Sequence, residues 1–109
     1  MTDALVILTT LPDRESALKL GQTLVERRLA ACVSVLGECQ SIYRWKGEIE
    51  RAFEVPVLVK TRAARYEDVE AAIRELHPYE LPEILALPSQ GGSEEYLQWI
   101  AGETAIAIG

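Results

Sequence analysis

The chain is poor in the residues that catalytic and metal centres are usually made from: one histidine, one methionine and two cysteines among 109 residues. A lone histidine leaves no HExxH zinc site, and the sequence holds no GxSxG elbow, no Walker loop and no GxGxxG turn. An enzyme is therefore not expected. Cys32 and Cys39 are too few for a disulfide scaffold and lack the CxxC or Cys/His spacing of a zinc site, so two reduced, partly buried thiols are expected. No run approaches the ~20 apolar residues of a membrane span. The N-terminus has no basic segment followed by an apolar stretch, so no signal peptide is read and the cytosol is the expected compartment, with no membrane partner. Positive charge is also short, with 11 Lys and Arg against 17 Asp and Glu. Phosphate backbones reward cations, so nucleic acid is not expected as a partner and a cation suits the chain better.

What is present is an ordinary globular balance, 49% hydrophobic and 26% charged, which fits one domain over residues 1–109 with no linker. Ala4–Thr10 is a short apolar, β-branched run and reads as a buried strand. Asp13 is a good N-cap for a helix with Leu18, Gly21, Val25 and Leu29 at helical spacing beside Ala17 and Leu24, and with Arg27 and Arg28 in its last turn. Gly21 costs helix propensity and reads as a close-packing point against the sheet. Ala31–Leu36 is a second strand. Gly37-Glu38 is expected to turn it back as a hairpin onto Cys39–Trp45, pairing Val35 with Cys39 and Cys32 with Ile42. The two thiols would then face opposite sides, disfavouring a disulfide.

Lys46-Gly47-Glu48 reads as a further hairpin turn with Gly47 left-handed, placing Arg44 opposite Glu48 or Glu50. The extended stretch Ile49–Thr61 would reach about 43 Å as one strand, against a diameter of about 34 Å for a domain this size. It must bend or project, and Pro56 marks the place. An arm over Ile42–Val55 is expected, ahead of a core strand Val57–Thr61. The arm carries Tyr43, Trp45, Ile49 and Phe53, three of the chain's seven large aromatics among them. Those apolar side chains are candidates for the interface of a homo-oligomer; the alternative is that the arm folds back over its own sheet.

Arg65–Leu76 reads as a second amphipathic helix, ended by His77-Pro78. Tyr79–Pro82 is a stiff connector, Glu83–Leu87 a last strand, and Ser93 caps a short final helix from Glu94 to about Ala101. No element is assigned to the tail, Ala105–Gly109. Val6–Thr10 and Val57–Thr61 each lead through a helix to a strand. Two such units give βαββαβ, an α+β ferredoxin-like sandwich with a long hairpin arm and a short C-terminal helix.

His77 in His77-Pro78-Tyr79-Glu80 is the candidate metal ligand, since imidazole at a helix C-terminus can hold charge or coordinate through one nitrogen. It can equally cap helix carbonyls while the prolines enforce the turn. Lys60 and Glu54, charged positions on the long strand, either pair with each other or leave Lys60 facing a cleft that takes an anion.

Five segments in order resemble the CutA divalent-cation tolerance family: Leu24-Val25-Glu26 with Leu29-Ala30-Ala31-Cys32-Val33; Ser41-Ile42-Tyr43-Arg44-Trp45-Lys46-Gly47-Glu48-Ile49; Glu54 with Lys60-Thr61; His77-Pro78-Tyr79-Glu80 with Pro82-Glu83-Ile84; and Tyr96-Leu97 with Trp99-Ile100. The resemblance implies a tight homotrimer whose hairpins wrap neighbouring subunits, akin in architecture to the PII signalling proteins, with ligands in clefts between subunits. It implies a divalent metal, copper, zinc or another, as the bound ion. The positions of the family's proposed copper ligands hold Thr9, Leu76 and His77, one ligand of three. Cys32 matches a family cysteine outside that trio, and Cys39 stands where members usually have an aliphatic residue. A PII-like design also implies the alternative of an anion or nucleotide bound near Lys60, Tyr79 and Glu83.

Overall fold

In the computed structural model, which describes residues 2–106, the expected repeat is visible as two strand–helix–strand units on one sheet. Met1 and the last three residues of the unassigned tail lie outside the described residues. The strands are β1 (Ala4–Leu11), β2 (Cys32–Val35), β3 (Cys39–Trp45), β4 (Glu48–Arg62) and β5 (Leu85–Pro88). The helices are α1 (Arg14–Glu26), α2 (Tyr66–Leu76, entered by a short 3-10 turn) and α3 (Glu94–Glu103). The antiparallel order β2-β4-β1-β5 is that of a ferredoxin-like α+β fold. Among the described residues no helix is long and apolar enough to cross a membrane.

Alternation decides the two faces of the sheet. Ile7, Thr9 and Leu11 of β1 stand opposite Val59, Val57 and Val55 of β4, and all six are buried. They meet Ala17, Leu20 and Leu24 of α1 and Val69, Ala72 and Ile73 of α2 in one core. Each such aliphatic side chain contributes about 1.5–3 kcal/mol by leaving water. The other face is largely bare: α3 covers only its end, where Ile100 packs on Ala4 and Ala31. Leu85 and Leu87 of β5 remain exposed there.

α1 starts where expected, the Asp13 carboxylate accepting the Ser16 N–H at 2.7 Å. Its buried stripe, however, is Ala17, Leu20, Gly21 and Leu24, while Leu18 and Val25 are exposed. The close approach at Gly21 sets that rotation, since a Cβ there would lie 3.0 Å from Val33 Cγ1. Arg27 and Arg28 follow the helix instead of forming its last turn: Arg28 adopts φ 58 and the Leu29 N–H returns to the Leu24 carbonyl at 2.9 Å.

The expected hairpin between β2 and β3 does not form. Both strands lie along one edge of β4, Val35 opposite Val57 and Cys39 opposite Glu54. Four steps along β2–β3 thus face three along β4, so Gly37-Glu38 accommodates an extra residue, as a bulge does, and makes no reversal. A 15-residue strand needs a long partner, and one interrupted edge supplies it. Cys32 pairs with Lys60 and Cys39 with Glu54, about 20 Å apart along β4 at 3.3 Å per residue. Distance along one edge, and not opposite faces, keeps both thiols free.

β4 runs through Pro56 unbroken. The Pro56 carbonyl accepts the Leu36 N–H at 2.9 Å, so the donor that proline lacks would face the bulge, where no ladder bond is lost. Beyond it β3 and the outer half of β4 project as the arm, giving the molecule a 47 Å long axis. Val55, expected on the arm, is buried opposite Leu11 and belongs to the body. At the tip Lys46 and Gly47 both take positive φ, 50° and 84°, a two-residue turn that puts Arg44 opposite Ile49, neither of the expected glutamates. β5 begins two residues later than expected, leaving Glu83 in the connector.

Candidate functional site

The connector and the arm enclose a cleft of about 1010 Å³. Its floor is Thr10 near the end of β1 and Glu54 at the root of the arm. Tyr79 and Glu83 come from the connector. β3 lines the cleft from Ser41 to Trp45, with Tyr43 and Trp45 on positions that alternate with Ile42 and Arg44.

His77 builds this arrangement. The ring is buried, and Nε2 lies 2.6 Å from the Thr10 carbonyl. A carbonyl can only accept, so Nε2 carries the proton. Nδ1 then accepts the Tyr79 N–H at 3.1 Å. Continued register would place Glu83 opposite Thr10; the imidazole takes that carbonyl instead, which is why β5 starts late and Glu83 is free to face the cleft. With both nitrogens engaged, His77 offers no lone pair to a metal in this conformation.

Glu54 is only 7% exposed. Its Oε2 accepts the Thr10 hydroxyl at 3.0 Å, and among the described residues no Lys, Arg or His lies within ion-pair distance of it or of Glu83. Burial holds the Glu83 carboxyl above its ordinary pKa, and the Glu54 charge adds to this. Burial likewise raises the Tyr79 phenol, with Glu54 again the next cause. The two carboxylates therefore feel each other across the cleft.

Lys60 stands apart from the expected cleft group. Its Nζ donates to Ser34 Oγ at 3.1 Å and lies 4.0 Å from Cys32 Sγ, and no ion pair joins it to Glu54. Of the expected interface residues, Ile49 and Phe53 stand on the arm's outer face with Ile42, each more than 60% exposed. Tyr43 and Trp45 lie on the opposite, cleft side. Sequence reasoning missed Thr10: a threonine in an apolar strand looks like β propensity, and its partner Glu54 is 44 residues away.

The metal that the resemblance implies finds no prepared set of soft ligands among the described residues. Thr9 faces the core, Leu76 is apolar, His77 is engaged at both nitrogens, and the thiols are far apart. Among the described residues no three His, Cys, Asp or Glu side chains gather as ligands would. Two carboxylates, a phenol and a hydroxyl form an all-oxygen set that suits a hard cation.

The family model described as CutA1 divalent ion tolerance protein matches residues 5–103. The divalent-cation tolerance protein CutA of Thermus thermophilus is 43% identical over 91% of this chain and 96% of its own length. That of Pectobacterium atrosepticum is 41% identical over 92% and 91%. The crystal structure of CutA from Xylella fastidiosa superposes with a TM-score of 0.92 at 42% identity, covering 94% of this chain and 99% of that one. Fold, sequence and extent agree, and the chain belongs to the CutA1 divalent ion tolerance protein family.

Proposed function

We propose that this chain is a subunit of a homotrimer that serves divalent-cation tolerance by binding a positively charged ligand in the arm–connector cleft, without catalysing a reaction. The observation that carries this reading is Glu54: a buried carboxylate sharing its cleft with Glu83 and, among the described residues, with no Lys, Arg or His within ion-pair distance. Removing a carboxylate from water costs several kcal/mol unless a partner offsets it, and the Thr10 hydroxyl and the Tyr79 phenol, both neutral, offset only part. A cationic ligand completes the site. Of the divalent ions, a hard one matches the oxygen donors better than copper or zinc. Relatives named for divalent-cation tolerance support the link to metal stress.

Trimer formation is supported by two unpartnered apolar surfaces, the arm's outer face and the bare sheet face of Leu85 and Leu87. Contiguous apolar surface of this kind is uncommon on monomers, and closed homo-oligomers cover it. An anion or nucleotide sensor of PII-like design has less support, because Lys60 is outside the cleft and two carboxylates are inside it.

The test is equilibrium dialysis of the purified protein against Mn²⁺, Zn²⁺ and Cu²⁺, beside Glu54→Gln and His77→Ala. Uptake that Glu54→Gln abolishes supports the reading. Uptake indifferent to Glu54 overturns it.

A further inference from the structure

The cleft is far larger than a single ion requires, and its walls are aromatic as well as acidic. Tyr43, Trp45 and Tyr79 line it with Glu54 and Glu83, and Lys46 Nζ already stands 5.6 Å from the Trp45 ring centroid, leaving the two tyrosines as rings without a cation of their own among the described residues. A volume of about 1010 Å³ lies at the upper end of the usual range for small-molecule sites, roughly 300–1,000 Å³. Ring faces carry negative electrostatic potential and attract organic cations, which shed water more readily than a metal ion does. Arg44 also lines the cleft, but among the described residues it makes no ion pair with Glu54 or Glu83. From the juxtaposition of a buried carboxylate with no ion-pair partner among the described residues, a second carboxylate and the Tyr43 and Tyr79 rings in one cleft, we infer that the site takes a small organic ammonium ion, its charged head on Glu54 and Glu83 and its carbon body against the rings.

This inference rests on the cleft reading above and names the class of ligand within it. The probe is phenethylammonium, titrated calorimetrically into the whole protein, with its neutral isostere 2-phenylethanol and with Mn²⁺ alone as separate arms. Saturable binding of the ammonium is expected, weakened about ten- to a hundredfold in Glu54→Gln. Glu83→Gln, which spares the Thr10 bond, guards against loss of folding in the first variant and is expected to weaken binding as well. Equal binding of the alcohol overturns the inference, since apolar walls alone would then suffice. Binding of Mn²⁺ without the ammonium also overturns it while leaving the cleft reading intact. If none of the three binds, both readings fall.

Discussion

His77 and Thr10, 67 residues apart, are joined by a 2.6 Å hydrogen bond from Nε2 to a carbonyl in a buried setting. The same ring holds the Tyr79 N–H at 3.1 Å, so one side chain fixes the end of β1 to the segment that walls the cleft. His77→Ala is expected to destabilise the protein by about 1–3 kcal/mol, the usual cost of leaving buried polar groups unpaired. It should also loosen Pro78–Ile84 before the rest of the fold. Amide exchange that accelerates only at global unfolding would contradict this.

Two buried threonines differ in partnership and should respond oppositely to the same change. Thr61 Oγ1 donates to the Leu29 carbonyl at 2.7 Å, whereas Thr9 Oγ1 is buried and finds no partner among the described residues. Thr61→Val is expected to cost about 1–2 kcal/mol and Thr9→Val to stabilise by about 1 kcal/mol. Urea denaturation of the pair measures the contrast. Equal signs would sink the assignment.

Gly21→Ala would raise the stability of an exposed helix by about 1 kcal/mol. Here the new methyl meets Val33 Cγ1 at 3.0 Å, so a net loss of about 1 kcal/mol is expected instead. Val33→Ala in the same chain should recover the gain, and thermal unfolding of the double variant checks it.

The Glu83 carboxyl sits above its ordinary pKa through burial and the Glu54 charge. The folded state therefore binds more protons than the unfolded one in the window just above the usual glutamate range. Stability falls as pH rises through that window, and the cost persists at neutral pH. Glu83→Gln should remove the slope and raise the neutral-pH Tm, while Glu54→Gln should return the Glu83 titration toward normal by NMR.

Association through the bare sheet face predicts that Leu87→Asp sediments as single chains with unchanged far-UV circular dichroism, while the unmutated protein sediments at three times that mass. A single-chain mass for the unmutated protein would remove the trimer from the functional reading.

The elements themselves were legible because their signals are local. The apolar, β-branched run Ala4–Thr10, the Asp13 cap and the Gly47 turn each depend on neighbours within a few residues. The need for a projecting arm followed from length alone, since the extended stretch Ile49–Thr61 outruns a domain this small, and the strand is in fact longer, Glu48–Arg62. The membership of one acidic, aromatic site was only half visible. Tyr79, Glu54 and Glu83 were among the candidates, but Lys60 was grouped with them on sequence and Thr10 was not.

What tertiary structure alone decided is pairing across distance. Gly37-Glu38 is compatible locally with a reversal or with a bulge, and the long edge of β4 selects the bulge by offering ladder hydrogen bonds to both flanking strands. His77 is compatible with coordinating a metal or with joining two segments, and the Thr10 carbonyl and Tyr79 amide claim both of its nitrogens. Side-chain chemistry is written in the chain, but a donor's partner is whichever acceptor the fold brings within about 3 Å of it, and that acceptor stood 67 residues away.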